Sequence, residues 1–530
     1  MNKFNRSLLT LLFSIPVLVS CTTGSSSVVQ SDSIPIADIL IVNGTVYTGE
    51  LRQPQSLNIA ICQQIICGIY PRNVKVKAKK VLDAAGQIVS PGFIDPHTHS
   101  YQELISQDKN QNLNYLFQGV TTVINGNDGD GPVDLQVATS AFNSAGIGTN
   151  SAFLVGHGSL RRQVMGTAKR HATAAELSEM KVLMEIAMGQ GALGLSSGLY
   201  YVPGSFATTE EVIELAKVAA KYNGIYDTHL RDESTFNIGF LAALDEAIHI
   251  ARSANIHLHV AHIKALGVDV WGQSKQAIEK INQARSEGID ISADQYPWRA
   301  SGTNIRSAVV PKWAMADSED AFMQRLENPD FSQQIKSEIK ENIRRRGGPT
   351  ALLITASKNK SIVGSTLKQI AERLKKSDTD TVIHLVRQGK TRVASFNMNQ
   401  DDIDAFMQQP WVVTSSDGTN GHPRKYASFP QKYQEYVLNS DNLDLQRFIH
   451  SSTGQTADIL GLGDRGYLQV GFKADIVLFD PEKYRAEADF KAWDRLSKGV
   501  TDLFINGQHV IINGKYSGSL AGQFVKRKRD

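Results

Sequence analysis

The 530-residue sequence is poor in cysteine, with only Cys21, Cys62 and Cys67. A disulfide-rich scaffold needs several bridges, so this chain must take its stability from an apolar core, and 41% of its residues are hydrophobic. Net charge is also small, because 56 basic and 53 acidic residues leave +3, which gives no electrostatic reason to expect a nucleic-acid partner. The terminal KRKRD is interpreted as a solvated tail, with weak attraction to an anionic membrane surface as the alternative.

The N-terminal region lacks an apolar run long enough to span a bilayer. LLTLLFSIPVLVS, residues 8–20, has 13 residues, against about 20 for a transmembrane helix. Behind Lys3 and Arg6 it has the length of a signal-peptide core. It ends in LVSC, which resembles the lipobox of bacterial lipoproteins. This predicts a signal peptide over residues 1–20, cleavage before Cys21 and lipid attachment to its thiol; an ordinary secretory signal is the alternative.

A polar segment, residues 21–34, follows the predicted cleavage site and has the serine- and threonine-rich composition of a flexible tether. Thr22, rather than aspartate, follows the cysteine, and by resemblance to lipoproteins this favours the outer membrane. The sequence therefore predicts a protein of the bacterial cell envelope that is held at the membrane by a lipid anchor.

The segment TTVINGNDGDGP, residues 121–132, has the composition of a calcium loop but lacks its spacing. Such a loop needs oxygen ligands at alternate positions and a glutamate at the twelfth. Counted from Asn125, the fifth residue is Gly129, and counted from Asp128, the twelfth is Thr139. A calcium loop is therefore excluded, and the glycines are interpreted as a turn.

Apolar runs alternate with helical patterns through the middle of the chain, which is typical of β-α-β units. Thr173 with Glu176, and Thr208 with Glu211, have the capping-box spacing that marks helix starts. Eight runs favour a (β/α)8 barrel over a doubly wound sheet, which shares the alternation. The runs are IVSPGFIDPHTH, GVTTVINGND, SAFLVGHGSL, GALGLSSGL, GIYDTHLRDE, IHLHVAHIKAL, IDISADQYPW and WVVTSSDG.

The domain boundaries follow from where this alternation starts, stops and pauses. The barrel is predicted over residues 91–464. The gap between its seventh and eighth runs is far longer than one crossover, so an insertion is predicted at about residues 305–385. Short strand-like runs also open and close the mature chain, over residues 35–90 and 465–525. Cys62 and Cys67 flank a predicted hairpin turn in the first of these, where a disulfide could form.

Polar residues concentrate at the C-terminal ends of the runs, where active sites of such barrels lie. His97 and His99 close the first run, and residues two apart on a strand point to the same side, so both can reach one metal ion. His229 closes the fifth run, His262 the sixth and Asp417 the eighth. This mixture of imidazole and carboxylate favours zinc, with manganese, iron or cobalt as alternatives.

The stretches VSPGFIDPHTH, THLRDE, AHIK and SSDG resemble those of the amidohydrolase superfamily. GHGSLRRQVMG, GLSSGLYYVPG, THLRDES and GHPRKYASFP are similar to the D-aminoacylase (N-acyl-D-amino-acid deacylase) branch, and the resemblance covers almost the whole mature chain. It implies a TIM-like barrel with a small β-sandwich built from both chain ends.

The resemblance also implies roles for individual residues. His229 and His262 would be tight zinc ligands, and His97 with His99 would face a second, weaker metal position. Asp417 would be the general acid/base.

Three further residues resemble substrate-contacting groups of the branch: Lys264, Tyr296 and Arg424. Arg424 would clamp the substrate carboxylate, since a guanidinium can bind it through two parallel hydrogen bonds. One residue departs from the branch, which has cysteine in GNCG as a metal ligand, whereas this chain has GNDG with Asp128. Aspartate is also a zinc ligand but harder than thiolate, so we expect the site to persist with an altered metal preference. Looser metal binding, or two ions held more evenly, are the alternatives.

The resulting hypothesis is a metal-dependent hydrolase of N-acyl-D-amino acids, in which a metal-activated hydroxide attacks the amide and Asp417 transfers the proton. A dipeptidase or cyclic-amide hydrolase of the same superfamily is one alternative. A lipid-anchored binding protein on an inactive hydrolase scaffold is another, and Asp128 is its only support.

Several polar residues have no assigned role at this point. His157 in GHGSL either contacts substrate or caps a loop. His257 and His259 lie early in the sixth run, far from the mouth, and are interpreted as structural. Asp232 and Glu233 either support the metal ligands or belong to a solvated loop.

Overall fold

The computed structural model describes residues 36–440 and 442–528. The predicted signal peptide and tether, residues 1–34, with the predicted anchor Cys21, lie outside these residues. Across the described residues, no helix combines the length and the apolar character that crossing a membrane requires.

Eight parallel strands form the barrel that the eight apolar runs predict. Two parallel ladders meet where the third strand is interrupted, at Leu154. A parallel bridge between Thr98 and Gly418 joins the first strand to the eighth and closes the ring. The strands are Phe93–Asp95, Val120–Asn125, Asn150–Phe153 with Val155–Gly156, Gly194–Gly198, Ile225–His229, His257–Val260, Ile291–Gln295 and Val412–Thr414.

Helices follow the strands and bury their apolar faces against the outside of the barrel. The helix Ala174–Gln190 has Thr173 as its N-cap, and the predicted capping box between Thr173 and Glu176 is complete. The helices packed around the barrel strands are Leu135–Ala145, His157–Met165, Ala174–Gln190, Thr209–Ala220, Phe240–Ala254, Ser274–Ser286, Gln400–Met407, Arg424–Lys432, Leu445–Ser452 and Gly454–Leu460, with single turns at Tyr101–Leu104 and Leu113–Leu116 and a π-helical segment at Tyr433–Asn439.

The second predicted capping box is only half formed. The Thr208 hydroxyl accepts from the Glu211 backbone N–H at 3.2 Å, but the Glu211 carboxylate does not return to the backbone of Thr208. It instead accepts a hydrogen bond from Arg161 and lies 2.8 Å from the His157 ring, and all three side chains are buried. Of the two roles considered for His157, substrate contact is therefore not supported, because the residue anchors one helix to another.

Two sheets contributed by both ends of the chain form the predicted β-sandwich, around a shared core that includes Ile41, Ile59, Ile476 and Phe504. A disulfide joins Cys62 to Cys67 across a hairpin, with a Cα–Cα distance of 5.6 Å. One sheet contains Ala37–Val42, Leu57–Cys62, Ile65–Pro71 and Ala78–Asp83, and the other contains Thr45–Val46, Ile88–Pro91, Ile476–Phe479, Val500–Ile505, Gln508–Ile512 and Lys515–Tyr516.

The insertion between the seventh and eighth barrel strands has an antiparallel sheet and a hydrophobic core of its own. Thr391–Phe396 is the central strand, flanked by Ala300–Asn304 and Leu352–Ser357. The sheet extends beyond the predicted bounds of about 305–385 on both sides, through Ala300–Asn304 and Thr391–Phe396, which are close in sequence to the seventh and eighth barrel strands. Its helices are Ile305–Val309, Glu319–Glu327, Pro329–Arg345, Leu367–Leu374 and Asp378–Arg387.

The buried His157 generates a prediction about stability and pH. Burial lowers the pKa of His157 from its ordinary value of 6.5, so between the two pKa values the unfolded chain binds a proton that the folded chain does not. The free energy of unfolding is therefore unaffected by the protonation of His157 above about pH 6.5, and it decreases as the pH falls toward the pKa of His157 in the folded chain. We expect His157→Gln to flatten the fall of Tm between pH 7 and pH 5, measured by calorimetry.

His249→Gln is the matched control, because His249 is exposed on an outer helix and should keep the wild-type slope. A His157→Gln profile that parallels wild type would contradict a buried, uncharged His157.

Candidate active site

The predicted metal-binding and catalytic side chains all follow the carboxyl ends of barrel strands. Because the strands are parallel, these ends meet at one mouth of the barrel. Five strands contribute: His97 and His99 follow the first, Asp128 the second, His229 ends the fifth, His262 follows the sixth and Asp417 the eighth. The fold thus brings residues that are distant in sequence to one place.

Three of these residues have a left-handed backbone conformation, with φ of 58° at Asp128, 34° at His262 and 46° at Asp417. A positive φ is uncommon in residues other than glycine and costs of order 1–3 kcal/mol when the residue is poorly suited to it. Aspartate tolerates this region better than most residues, whereas histidine at 34° does so less readily. Each strand end therefore turns sharply, and the turn directs the side chain back over the barrel mouth.

The Asp128 carboxylate lies among four imidazoles. Its Oδ1 is 3.2 Å from His262 Nε2, 3.5 Å from His97 Nε2 and 3.6 Å from His229 Nδ1, and its Oδ2 is 3.5 Å from His99 Nε2. Burial alone would raise the pKa of Asp128, but His97 and His262 hold it well below its usual range. The carboxylate is thus an anion surrounded by nitrogen donors.

This cluster fits a divalent cation. One ligand atom from each of His97, Asp128, His262 and Asp417 lies within 4.8 Å of the others. Both ring nitrogens of His97 are buried, and neither has a hydrogen-bond partner among residues 36–440 and 442–528. Carboxylate oxygens lie 3.5 Å from Nε2, in Asp128, and 3.8 Å from Nδ1, in Asp294, and imidazole nitrogen and carboxylate oxygen are good zinc ligands.

Glu233 is a site residue whose role the sequence left open. Its Oε2 is 3.5 Å from His229 Nε2, and its Oε1 is 3.2 Å from His262 Nδ1 and 2.6 Å from Lys264 Nζ. Burial would raise the pKa of Glu233, but His229 and Lys264 lower it to about 2. With His229 and His262 it forms a second group of converging ligand atoms, so of its two proposed roles the solvated loop is excluded.

Asp417 lies beside both the histidines and an arginine. Its Oδ1 is 3.3 Å from His99 Nε2 and 3.8 Å from His97 Nε2, and its Oδ2 is 2.8 Å from Arg424 Nη1. Burial would raise the pKa of the Asp417 carboxyl, but Arg424 and His262 hold it well below its usual range. Arg424 is itself 1% exposed, so the pair is an ion pair enclosed by protein.

Two of the predicted substrate-contacting residues, Lys264 and Arg424, lie close to the aromatic ring of the third, Tyr296. The Lys264 ammonium is 5.9 Å, and the Arg424 guanidinium carbon 4.6 Å, from the centre of the Tyr296 ring. The buried Tyr296 hydroxyl has no hydrogen-bond partner in the described part of the chain. Two cations therefore lie near the Tyr296 ring, and a guanidinium is suited to receive a carboxylate.

A cavity of about 370 Å³ opens over the cluster, within the range typical of small-molecule sites. His99, Asp128 and Asp417 lie on its barrel side, whereas Ser301 and Arg392 of the insertion lie on the other. The insertion therefore forms a wall of the site, which sequence reasoning missed because its side chains come from a region with no strand-end pattern.

His257 and His259 lie below the mouth, consistent with the structural role expected from sequence. His257 Nε2 and His259 Nδ1 share the Ser292 hydroxyl at 2.6 and 2.7 Å, and His259 Nε2 is 3.0 Å from Asp294 Oδ2. Asp294 in turn accepts from the His262 backbone N–H at 3.0 Å. This column supports the ligand cluster from beneath.

Comparison with known proteins fits this geometry. The Amidohydrolase family model matches residues 80–515. This chain belongs to the amidohydrolase family. It is 29% identical to D-aminoacylase of Alcaligenes xylosoxydans xylosoxydans over 525 residues, covering 94% of this chain and 99% of that protein.

Two solved structures superpose closely on this amidohydrolase. One is D-aminoacylase with a binuclear metal centre, at 27% identity and a TM-score of 0.79, covering 93% of this chain and all of that chain. The other is N-acyl-D-glutamate deacylase of Bordetella bronchiseptica, complexed with zinc and a phosphonate inhibitor, at 26% identity, a TM-score of 0.80 and the same coverage.

These findings confirm the predicted fold class and the predicted resemblance to the D-aminoacylase branch. They also establish that this amidohydrolase is an enzyme that hydrolyses amide bonds. The role of each site residue stays a prediction, as do the metal's identity and stoichiometry.

The central position of Asp128 generates a prediction about metal content. Asp128→Ala removes the carboxylate that faces all four histidines, so we expect the metal bound per chain to fall severalfold when purified proteins are measured by plasma mass spectrometry. Asp130→Ala is the control, because Asp130 is two residues away, exposed, and paired with Arg162. Equal metal content in Asp128→Ala and wild type would remove Asp128 from the ligand set.

Proposed function

We propose that this amidohydrolase removes the acyl group from N-acyl-D-amino acids. The observation that carries the proposal is the meeting of two clusters in one cavity. The ligand cluster around Asp128 lies on one side, and Lys264 and Arg424, which suit a carboxylate, line the same cavity with the ring of Tyr296 next to both. The names of the similar proteins, D-aminoacylase and N-acyl-D-glutamate deacylase, support the same substrate class.

The proposed cofactor is zinc, held by imidazole and carboxylate groups. His229 and His262 are proposed as ligands of a tight site, and His97 with His99 as ligands of a weaker one, with Asp128 between them. Support comes from two of the three groups of converging ligand atoms, which share His262: one contains His229 and Glu233, and the other contains His97, Asp128 and Asp417. It also comes from the similar D-aminoacylase, for which one metal activates and a second attenuates.

A zinc ion held by these residues would supply a bound water with a pKa of about 7 and a Lewis acid for the substrate carbonyl oxygen. Asp417 is the group that accepts the proton of the attacking water, since its carboxylate lies at the cluster and is ionised at neutral pH. Arg424 holds the second oxygen of that carboxylate at 2.8 Å, which fixes the direction in which the other oxygen faces.

The leaving nitrogen must receive a proton before it departs. Asp417 delivers it, because in this site the histidines are surrounded by carboxylates and directed at the ligand cluster. Lys264 and the Tyr296 hydroxyl orient the substrate carboxylate. Glu233 Oε1, 2.6 Å from Lys264 Nζ, holds the lysine in place.

The alternative reactions share the barrel and the ligand cluster with this one. A dipeptidase or a cyclic-amide hydrolase would differ in the groups that contact the substrate. The binding-protein alternative has no support from the comparisons. The envelope location predicted from residues 18–21 stays a proposal, as these residues lie outside the described part of the chain.

The proposal is tested with purified protein, residues 30–530, supplied with zinc and assayed on N-acetyl amino acids of both hands. We expect free D-amino acids to be released, with little or no release from the L series. Hydrolysis of L but not D substrates would reject the deacylase assignment, and hydrolysis only of dipeptides or cyclic amides would favour the alternatives.

Asp417→Asn tests the catalytic assignment. The amide keeps the size of the carboxylate but cannot accept the proton, so kcat should fall by about 10²- to 10⁴-fold, measured with the best D substrate. Zinc content should be measured on the same preparation. Asp130→Asn, an exposed aspartate at the cavity rim, should retain turnover. Retained turnover in Asp417→Asn would remove Asp417 from the mechanism.

A further inference from the structure

The cations that line the cavity fall into two classes. Those of the barrel are paired with carboxylates: Lys264 Nζ is 2.6 Å from Glu233 Oε1, and Arg424 Nη1 is 2.8 Å from Asp417 Oδ2. The three cations of the insertion that line the same cavity are Arg346, Lys390 and Arg392. None of these three forms an ion pair with any residue between 36 and 528 that the structure describes.

Arg392 is the most unusual of the three. Its Nε donates to the Asn420 carbonyl oxygen at 3.0 Å, which fixes the guanidinium against the loop that follows the eighth barrel strand. Its Nη2 is buried, yet it has no hydrogen-bond partner among the described residues. Burial and then the nearby Arg424 lower the pKa of Arg392 to about 10, so the group is still charged at neutral pH.

A buried charged donor without a partner is costly, because it has lost water and gained nothing in return. Arg346, by contrast, donates through Nε to the Ala308 carbonyl oxygen at 2.8 Å and approaches the Tyr200 hydroxyl. Arg392 lies on the central strand of the insertion's sheet, and its hydrogen bond to Asn420 uses Nε and leaves Nη2 without an acceptor among the described residues. The cost is explained if a ligand supplies the missing acceptor.

The residue that pairs with Arg392 across the sheet also borders the cavity. Asn304 pairs with Arg392 in the strand register and also lines the cavity. Lys390, exposed at the rim, lies two residues before Arg392 on the same chain segment. Two cations and an amide therefore border one part of the cavity, and unlike Lys264 and Arg424 these two cations have no protein carboxylate as a partner among the described residues.

We propose that Arg392, assisted by Lys390, forms a subsite for a second anionic group of the substrate, distinct from the carboxylate held at Tyr296. The inference rests on the proposed function and adds the substrate class: N-acyl-D-amino acids that carry two carboxylates. A guanidinium suits a carboxylate because it can bind both oxygens through parallel hydrogen bonds. The second carboxylate belongs either to the amino-acid side chain or to the acyl group, and the two sources are separable by experiment.

The test compares kcat/KM for matched pairs of substrates that differ in one charge. N-acetyl-D-glutamate against N-acetyl-D-glutamine examines the side chain, and N-succinyl-D-methionine against N-acetyl-D-methionine examines the acyl group. We expect the dianionic member of one pair to be preferred by about 10-fold or more, the range of a hydrogen bond between charged groups. Arg392→Gln should reduce that preference by a similar factor, mainly through KM.

Three further variants make the result specific. Arg392→Lys keeps the charge and should retain part of the preference. Lys390→Gln alters an exposed side chain, so it tests the subsite even if Arg392→Gln folds poorly, and it should lower the preference by a smaller factor. Arg373→Gln is the matched control, because Arg373 lies on a helix of the same insertion and bonds only to Ser361 and Ser365.

The outcomes separate this inference from the proposed function. Equal kcat/KM for both members of each pair, or a preference that Arg392→Gln and Lys390→Gln leave intact, would overturn the subsite while the deacylase assignment stands. Failure of the wild-type protein to hydrolyse any of the four D-amides would overturn the proposed function, and the subsite with it.

Discussion

A carboxylate enclosed by four imidazoles is the interaction on which the rest of this site depends. The oxygens of Asp128 lie 3.2–3.6 Å from nitrogens of His97, His99, His229 and His262, and such a buried anion is stable only where positive charge or a cation balances it. The barrel meets this requirement geometrically. Strand ends converge there, and the left-handed turns at Asp128, His262 and Asp417 direct their side chains inward.

The barrel and the insertion contribute different parts of the site. The barrel holds the ligand cluster and supports it from beneath with hydrogen-bonded histidines and Asp294. The insertion covers the mouth and supplies the cavity wall from residues such as Arg392. The insertion has its own core, and its strand Ala300–Asn304 accepts hydrogen bonds from His422 and Arg424 of the barrel.

The sequence was sufficient for the barrel and for most of the cluster, because strand ends are marked by apolar runs that stop at His97, His229 and Asp417. It was insufficient where a contact joins distant segments without a local signal. In the sequence, Glu233 looks like any acidic residue of a loop after a strand. Only the fold shows that its carboxylate lies between His229 and Lys264. The capping box at Thr208 is half formed for the same reason: Glu211 contacts Arg161, a residue distant in sequence, instead of the backbone of Thr208. No sequence motif marked Arg392 as a residue of the site.

The most direct test of the account is whether Asp128 itself binds the metal. Zinc K-edge absorption of the zinc-loaded Asp128→Cys variant, beside wild type, reports this without reference to activity. The account predicts that the variant gains a zinc–sulfur distance of about 2.3 Å, while wild type shows only nitrogen and oxygen neighbours at about 2.0–2.2 Å. Bound zinc without a sulfur neighbour in the variant would contradict it.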